Sequence, residues 1–328
     1  MQLFREKTII LAVPDHFGLP ECFRKNLEFI GFIVFTIPHD ATKKIGISRK
    51  DSLIHFIKKV FFKNRTYKAD KLATLKEKPQ LKILNSIHQC DYALVIRPDL
   101  FSKSVLKEIK NKSKFSVAYQ WDGLARFPLA IQRIHFFDRF LVFDKNDVEN
   151  YADVELSTNF YFDYLPECSL IRQDVFFVGT FMKDRIDDIA LIASRLQHMG
   201  LKTNINIVYS NEKNIAKYRK YPINFIKKGL TFEESIKECK SSNVVMDVEN
   251  KVHNGLSFRA FEAMGYKKKL ITNNRLIKDF DFYNEKNIYI LNENSMTLEY
   301  FLEQPYSEIN SNAKNYSFTV WITNTLTQ

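Results

Sequence analysis

The segment 253–265 has residue types and spacing that would suit a ligand containing phosphate. It is written His-Asn-Gly-Leu-Ser-Phe-Arg-Ala-Phe-Glu-Ala-Met-Gly. A loop with Gly255 and Ser257 that opens a helix would present backbone amides and the positive helix end to a phosphate. Glu262 lies one to two turns inside that helix, where its carboxylate can accept two hydrogen bonds from a vicinal diol such as ribose. Arg259 lies one turn earlier, on a nearby part of the helix surface.

The same segment also fits an ordinary amphipathic helix. Phe258, Phe261 and Met264 recur at helical spacing and would form its core stripe. Arg259 and Glu262 would then be solvated beside that stripe. The periodicity alone is compatible with both interpretations.

A second distinctive stretch, 52–71, interleaves apolar and basic residues. An amphipathic element of this composition suits attachment to an anionic membrane face. A helix that packs against its own domain and leaves a basic edge in solvent would give the same pattern. The residues concerned are Leu53, Ile54, Phe56, Ile57, Val60, Phe61 and Phe62, with Lys58, Lys59, Lys63, Arg65, Lys68 and Lys71.

Short apolar runs of strand character alternate with longer segments of helical periodicity, which predicts βαβ units and parallel sheets. The alternation pauses at 159–173 and then restarts. We therefore predict an α/β fold of two Rossmann-like doubly wound domains, 1–165 and 166–328, facing across a cleft, with a helix near the C-terminus returning to the first domain. The predicted strands are 7–13, 32–37, 91–96, 115–120, 139–143, 174–179, 204–209, 243–248 and 269–272. The predicted helices are 20–30, 51–62, 102–111, 127–136, 146–151, 185–200, 231–239 and 257–264.

The composition narrows the functional classes. A length of 328 residues favours two domains over one. The formal charge of +11 favours a polyanionic partner, but no nucleic-acid-binding motif accompanies it, so we expect no nucleic acid. We find no signal peptide, bilayer-spanning run or metal-ligand cluster in the sequence. We therefore expect a cytoplasmic protein without metal or cofactor, with attachment at the inner membrane face as a further expectation.

Residues 254–264 resemble the donor-binding segment of GT-B glycosyltransferases, especially the bacterial group-1 (family-4-like) enzymes of lipopolysaccharide and capsule biosynthesis. The pattern E-G-F-G-L-x-x-x-E-A-M of that family corresponds here to N-G-L-S-F-R-A-F-E-A-M. Glu262 stands at the second acid, which implies that it binds the ribose hydroxyls of a nucleotide. Asn254 stands at the first acid, which typically contacts the donor sugar. The rest of the implied donor site is Gly255, Leu256, Ser257 and Arg259.

Residues 177–185 resemble the V-G-R-L-x-x-x-K segment that grips the donor diphosphate in the same family. Gly179 falls on the glycine, Thr180 replaces the arginine and Arg185 falls on the lysine. A glycine allows close backbone approach, and a cation compensates the diphosphate charge. Lys183 would add a second cation. The alternative is that Lys183 and Arg185 are ordinary surface charges at a helix start.

The resemblance implies a hexosyltransferase that moves a sugar from a nucleotide-sugar co-substrate to a lipopolysaccharide or capsule glycan. The N-terminal domain would hold the acceptor and lend a group from a loop after a strand. Asp122 is our preferred group, as a base or as a sugar-orienting acid. Its alternative role is that of a turn-forming Asp before Gly. Asp15 and His16 follow another predicted strand, but such residues often only cap the next element.

Two chemical courses stay open at this point. In a retaining reaction the leaving diphosphate takes the acceptor proton, while Arg185 and Lys183 stabilise its developing charge. In an inverting reaction a base such as Asp122 is required. Two other functions also stay open: a non-catalytic nucleotide- or glycan-binding protein, and a nucleotide-sugar epimerase on the same fold.

Overall fold

The computed structural model describes residues 3–40, 46–249, 255–293, 296–308 and 311–327. These residues form two compact units. The first comprises the described residues up to 158 together with 322–327, and the second comprises 159–321. Over the described residues, each unit contains a parallel sheet of six strands with helices in the connections. The predicted α/β class with two Rossmann-like domains is therefore confirmed.

The first sheet has the order β2-β1-β3-β4-β5-β6. Its central strands form because uninterrupted apolar runs can be buried on both faces of a parallel sheet. In β1, for example, Ile9 to Val13 are fully buried. The strands are β1 (Thr8–Asp15), β2 (Ile33–Asp40), β3 (Cys90–Ile96), β4 (Ser113–Gln120), β5 (Arg139–Val142) and β6 (Glu155–Leu156). The helices are α1 (Leu19–Phe29), α2 (Arg49–Phe61), α3 (Tyr67–Ser86), α4 (Lys103–Lys112) and α5 (Lys145–Asn150).

The second sheet has the order β12-β11-β10-β7-β8-β9. Counted from its own first strand, this is the order 3-2-1-4-5-6 of a dinucleotide-binding fold. Its strands are β7 (Gln173–Thr180), β8 (Thr203–Val208), β9 (Asn224–Ile226), β10 (Ser242–Asp247), β11 (Lys269–Thr272) and β12 (Ile288–Ile290). The helices are α6 (Ile186–His198), α7 (Glu212–Ile215), α8 (Phe232–Lys240), α9 (Phe258–Gly265), α10 (Leu298–Glu303) and α11 (Phe318–Leu326).

Several helix ends form where the sequence predicts them. Thr231 caps α8 and forms a capping box with Glu234. Ser257 caps α9, which begins at the next residue. The last residues of α11 group with the first unit, as expected of a returning C-terminal helix.

The predicted helix 51–62 is confirmed as α2, but the basic amphipathic stretch 52–71 extends past its end at Phe61 and into α3, which begins at Tyr67. One predicted element was wrong. The predicted helix 127–136 is reduced to a 3-10 helix over Ile131–Phe136. Here Arg133 turns inward, fully buried, to pair with Asp70 of α3, so the segment follows a tertiary contact and not an apolar stripe.

Candidate functional site

The carboxyl edge of the second sheet contains a topological switch point between β7 and β10. From β7 the chain moves outward through β8 and β9, and it then returns to add β10, β11 and β12 on the other side. The connections that follow β7 and β10 therefore diverge to opposite faces of the sheet. Ligands of doubly wound folds bind in the crevice that this divergence leaves.

Arg185 lies at this switch point, immediately before α6. Its Nη2 donates to the carbonyl oxygen of Thr180 at 2.9 Å, and its Nη1 donates to the carbonyl oxygen of Val248 at 3.4 Å. The guanidinium thus bridges the segments that follow the two strands. The residue is 8% exposed. Burial first, and then the charge of Arg259, lower the pKa of Arg185 to about 10, so that it is still a cation at neutral pH.

Among the described residues no carboxylate forms an ion pair with Arg185, and its buried Nε has no hydrogen-bond partner. Asp247 and Asp184 act on it only at longer range, where they raise its pKa against the effect of burial, and a buried cation without a directly paired counter-charge is costly. The arrangement therefore favours binding of an anion.

Gly179 makes room for this guanidinium. A Cβ atom at position 179 would lie 3.1 Å from Nη2 of Arg185 and 3.0 Å from the ring of Phe177. Both distances are tighter than ordinary contacts, so a side chain would force Arg185 or the ring to move. The close backbone approach predicted at Gly179 was to a donor diphosphate, and it stays a prediction.

Arg259 brings a second guanidinium to the same end of β7. Its Nη1 donates to Oδ1 of Asp247 at 3.2 Å, and its Nη2 donates to the carbonyl oxygen of Val178. Asp247 is the buried last residue of β10. The Arg259 guanidinium also lies over the ring of Phe177, at 5.1 Å from the centroid. Two arginines therefore meet at the switch point with one paired aspartate.

Glu262 lies one turn after Arg259 on α9 and is 3% exposed. Burial raises the pKa of Glu262 to about 7; Arg259 opposes this rise and Asp247 reinforces it. Within the described ranges its carboxyl group has no hydrogen-bond partner. Such a group can accept hydrogen bonds from a ligand once it is ionised.

Helix α9 is also part of the core. The amphipathic-helix interpretation was therefore right about the core stripe and wrong about the solvated residues beside it. Phe261 and Met264 are buried in the core cluster, as that interpretation required. Glu262, however, is enclosed and not solvated, and Arg259 is only partly exposed.

The loop that precedes α9 is held through its carbonyl groups. Nδ2 of Asn159 donates to the carbonyl oxygen of Leu256 at 2.9 Å, and Nδ2 of Asn274 donates to that of Gly255 at 3.1 Å. The hydroxyl of Ser257 accepts from the amide of Arg259 at 3.2 Å. Asn254, the remaining predicted donor residue, lies outside the described residues.

A segment that the sequence analysis treated as a pause, 159–162, holds both ends of α9; we call it the α9 strap. Its Asn159 fixes the loop before the helix, as described above. At the other end, the hydroxyl of Tyr266 donates to the carbonyl oxygen of Phe162 at 2.7 Å. A Cβ at Gly265 would lie 2.3 Å from the ring of Tyr161, so only glycine fits there. No periodicity marks such a segment, so its role could not be predicted from the sequence.

Two predicted donor residues do not join the cluster. Thr180 contributes its carbonyl group to Arg185, but the residue is exposed. Lys183 is exposed in the turn between β7 and α6 and has no side-chain partner within the described part of the chain.

Asp122 belongs to the first unit, after β4, where it is part of a different cluster. It accepts from Nη1 of Arg97, whose Nε and Nη2 donate to the two carboxylate oxygens of Asp99, each at 2.8 Å. Arg97 has a left-handed backbone (φ 57°) and stacks over Phe127 at 3.9 Å. The Asp122 side chain is 13% exposed.

The other candidate loop of the first unit follows β1. The side chain of Asp15 accepts from the amide of Gly18 at 3.0 Å, in the turn before α1, and it forms no side-chain cap of that helix. Burial and the charge of Arg97 lower the pKa of His16, so that its imidazole is neutral at pH 7. The described residues contain no group of three or more His, Cys, Asp or Glu arranged to hold a metal ion. Metal-independent catalysis stays a prediction.

Comparison with known proteins shows which solved structures have a similar architecture. No protein-family model matches the chain, and no curated protein sequence does. Solved structures do match. An α-glucosyltransferase in complex with UDP and a 13-mer DNA containing an HMU base is 11% identical, with 81% of this chain and 79% of that chain covered and a TM-score of 0.50. A glycosyltransferase from Rickettsia africae ESF-5 is also 11% identical, with 98% and 97% covered and a TM-score of 0.50.

The chain has the GT-B glycosyltransferase fold. A UDP-GlcNAc 2-epimerase from Methanocaldococcus jannaschii is likewise similar, with 11% identity, coverage of 98% and 99%, and a TM-score of 0.49. At these identities the likeness concerns the fold alone. The function of this GT-B chain must be argued from its site.

Proposed function

We propose that the protein transfers a sugar from a nucleotide-sugar donor to a cell-surface glycan of the lipopolysaccharide or capsule kind, as group-1 GT-B enzymes do. One observation carries the proposal: Arg185 and Arg259 meet at the switch point of the second sheet with only Asp247 paired between them. A surplus of buried positive charge at this position suits a diphosphate. The UDP bound in the matching α-glucosyltransferase agrees with that ligand class.

In this proposal the donor lies along the carboxyl edge, with its diphosphate at Arg185 and its ribose at Glu262. The ionised Glu262 carboxylate would accept from the two ribose hydroxyls. Since the residue is 3% exposed, this contact requires an opening beside α9.

The transfer step breaks the bond between the anomeric carbon and the diphosphate oxygen and forms a bond to an acceptor hydroxyl oxygen. Arg185 would stabilise the negative charge that develops on the leaving diphosphate. In a retaining course the diphosphate takes the acceptor proton. In an inverting course Asp122 would take it. No metal or cofactor is part of the proposal.

The first experiment is a thermal-shift screen against nucleoside diphosphates and their sugars. A ligand at a hundred times its Kd stabilises the native state by about 2.7 kcal/mol, which raises the melting temperature by several degrees. Each stabilising donor is then incubated with glycan acceptors, and the sugar product and the free diphosphate are measured.

The result expected is stabilisation by one family of nucleotide sugars, followed by transfer. Stabilisation without turnover on any acceptor would favour a non-catalytic binder, for which the Asn254 at the first-acid position is the motivating observation. An altered sugar with no acceptor consumed would indicate an epimerase. No stabilisation by any nucleotide would overturn the proposal.

A further inference from the structure

Helix α2 has an unusual environment, since none of its thirteen residues, Arg49–Phe61, is buried. The helix itself is well formed. Ser48 caps it by accepting from the amide of Asp51 at 3.0 Å, and the same hydroxyl donates to the Asp51 carboxylate at 2.7 Å. A surface helix normally stays folded by burying an apolar stripe against its domain. In α2 the apolar side faces solvent, and a polar side faces the domain.

The side of α2 that meets its own domain is polar. Oδ1 of Asp51 accepts from the hydroxyl of Tyr67 at 2.9 Å. The ring of His55 is stacked with the Tyr67 ring at 6.4 Å between centroids, and Nζ of Lys58 lies 4.5 Å from the centroid of that ring. Positions 51, 55 and 58 follow the spacing of one helix face. This face rests on the first turn of α3.

The opposite side of α2 is apolar and points to solvent. At 100° per residue, positions 53, 56, 57 and 60 lie about half a turn from 51, 55 and 58. Two phenylalanines extend this surface where the helix ends. The exposed fractions are 61% for Leu53, 59% for Phe56, 40% for Ile57, 53% for Val60, 73% for Phe61 and 74% for Phe62.

The charges around this stripe indicate what covers it. Between Gly46 and Lys71 the sequence has eight Lys or Arg residues and two Asp. Lys50, Lys59 and Lys63 are exposed at the flanks and the end of the helix. Two copies of such a surface would repel each other, whereas an anionic surface would be attracted. A stripe of leucine and phenylalanine bordered by lysine is typical of helices that lie in a lipid headgroup layer.

The length of α2 agrees with a position in the plane of a membrane. Thirteen residues extend about 20 Å as a helix, less than the roughly 30 Å of a hydrocarbon core. No helix in the described part of the chain is long and apolar enough to cross a bilayer.

We propose that α2 is an interfacial anchor that binds an anionic membrane surface, with Leu53, Phe56 and Val60 inserted at the acyl boundary. Lys50, Lys59 and Lys63 would contact the lipid headgroups. This inference does not depend on the nucleotide site, because it concerns only the exposed face of one helix.

The test is flotation of the full chain with vesicles of phosphatidylcholine alone or with 30% phosphatidylglycerol. Binding is expected to the anionic vesicles and to weaken as salt is raised. Two triple variants separate the contribution of the apolar stripe from that of the flanking charge. Leu53→Ser/Phe56→Ser/Val60→Ser removes the stripe, and Lys50→Glu/Lys59→Glu/Lys63→Glu reverses the flanking charge. Each should weaken binding roughly a hundredfold. All six positions are exposed, so the domain should still fold.

A matched control reverses three exposed lysines elsewhere in the same unit: Lys82→Glu/Lys103→Glu/Lys107→Glu. It has the same net charge as the α2 charge variant and should keep most of the binding. Equal loss in the control and the α2 charge variant would show non-specific attraction and overturn the proposal. Concentration-dependent dimerisation that the serine variant abolishes, without vesicle binding, would also overturn it in favour of a second copy.

A spectroscopic readout checks insertion directly. Phe62→Trp should add emission that shifts to the blue with anionic vesicles and is quenched by lipids brominated near the headgroup. The native residues Trp121 and Trp321 supply the background, which the unaltered chain measures. Nucleotide stabilisation is measured without lipid, so failure of the anchor and failure of the donor site are separate results. No emission change on binding would contradict insertion.

Discussion

The carboxyl edges of the two sheets hold their buried arginines in opposite ways. In the first unit a single guanidinium, that of Arg97, is held by two carboxylates, Asp99 and Asp122. Within the described ranges, the second unit has two guanidiniums at its switch point and pairs only Asp247 with them. The charges of these groups are balanced or negative at the edge of the first sheet. At the edge of the second sheet they have a positive excess. An anionic group is therefore attracted more strongly to the second edge than to the first.

Each edge also holds a buried titratable group whose pKa is shifted toward the neutral form of the group, for the same reason. Burial is the first cause in both cases. It lowers the pKa of His39, at the end of β2, to about 4, and it raises the pKa of Glu262 to about 7. Since one group is a base and the other an acid, the two edges should respond to pH with opposite signs.

The largest effect is expected for Glu262→Gln. The pKa of Glu262 is about 7 in the native chain and ordinarily 4.5. Between these values the native state keeps a proton that the unfolded chain has lost, so stability falls as pH rises. The glutamine variant should be more stable than the native chain by roughly 3 kcal/mol at pH 8 and similar at pH 4.5. Urea unfolding at both pH values measures this, and parallel pH profiles would contradict it.

Arg185→Gln should weaken nucleoside diphosphate binding by about 30- to 150-fold, through loss of charge-assisted hydrogen bonds worth roughly 2–3 kcal/mol. Titration calorimetry measures the Kd. Lys183→Gln is the matched control, because it also removes one positive charge but at an exposed position. Its Kd should change less than threefold. Equal effects of the two variants would mean that general charge, and not the buried guanidinium, attracts the ligand.

His39→Gln should reduce the acid sensitivity of the protein. The pKa of His39 is about 4 in the native state and 6.5 ordinarily, so the unfolded chain gains a proton first as pH falls. The native chain should lose about 2 kcal/mol of stability from this group between pH 7 and 5. Lys76 and His16 contribute to the lowered pKa and Asp99 opposes it. Urea unfolding at pH 7 and 5 is the measurement; an unchanged pH slope in the variant would refute the assignment.

Asp122→Asn should have the smallest effect on binding and should separate binding from turnover. Arg97 keeps both hydrogen bonds to Asp99, so the stability loss should be about 1–2 kcal/mol and the nucleotide Kd should stay within twofold. If Asp122 acts on the acceptor, kcat falls while the Kd does not. Asp15→Asn, at an exposed turn in the same unit, is the control expected to keep its kcat. A raised Kd would place Asp122 at the donor.

Most strands could be predicted from the sequence, because buried parallel strands are continuous apolar runs. β11 was predicted at its observed bounds, and β1 within two residues. Helix α3 was missed, since only Ala73, Gln80 and Leu84 of its twenty residues are buried and Pro79, which usually indicates a helix end, lies inside it. So sparse an apolar stripe does not stand out in a lysine-rich segment.

Only part of the candidate site could be predicted in the same way. The three-residue spacing of Arg259 and Glu262 places them near each other on any helix, and their common location was predictable. The pairing of Arg259 with Asp247 depends on how α9 packs at the end of β10, which no local pattern encodes. The same holds for Asn159, which is almost a hundred residues from its partner Leu256.

The contact between Gly265 and Tyr161 has a consequence for finding relatives of this chain. With no room for a Cβ, position 265 can enlarge only if position 161 shrinks, so substitutions at the two positions should be correlated over evolution. In homologues too divergent for overall sequence comparison, glycine at the end of this helix together with an aromatic ring at the strap would be a covarying pair. That pair would identify shared ancestry where percentage identity no longer does.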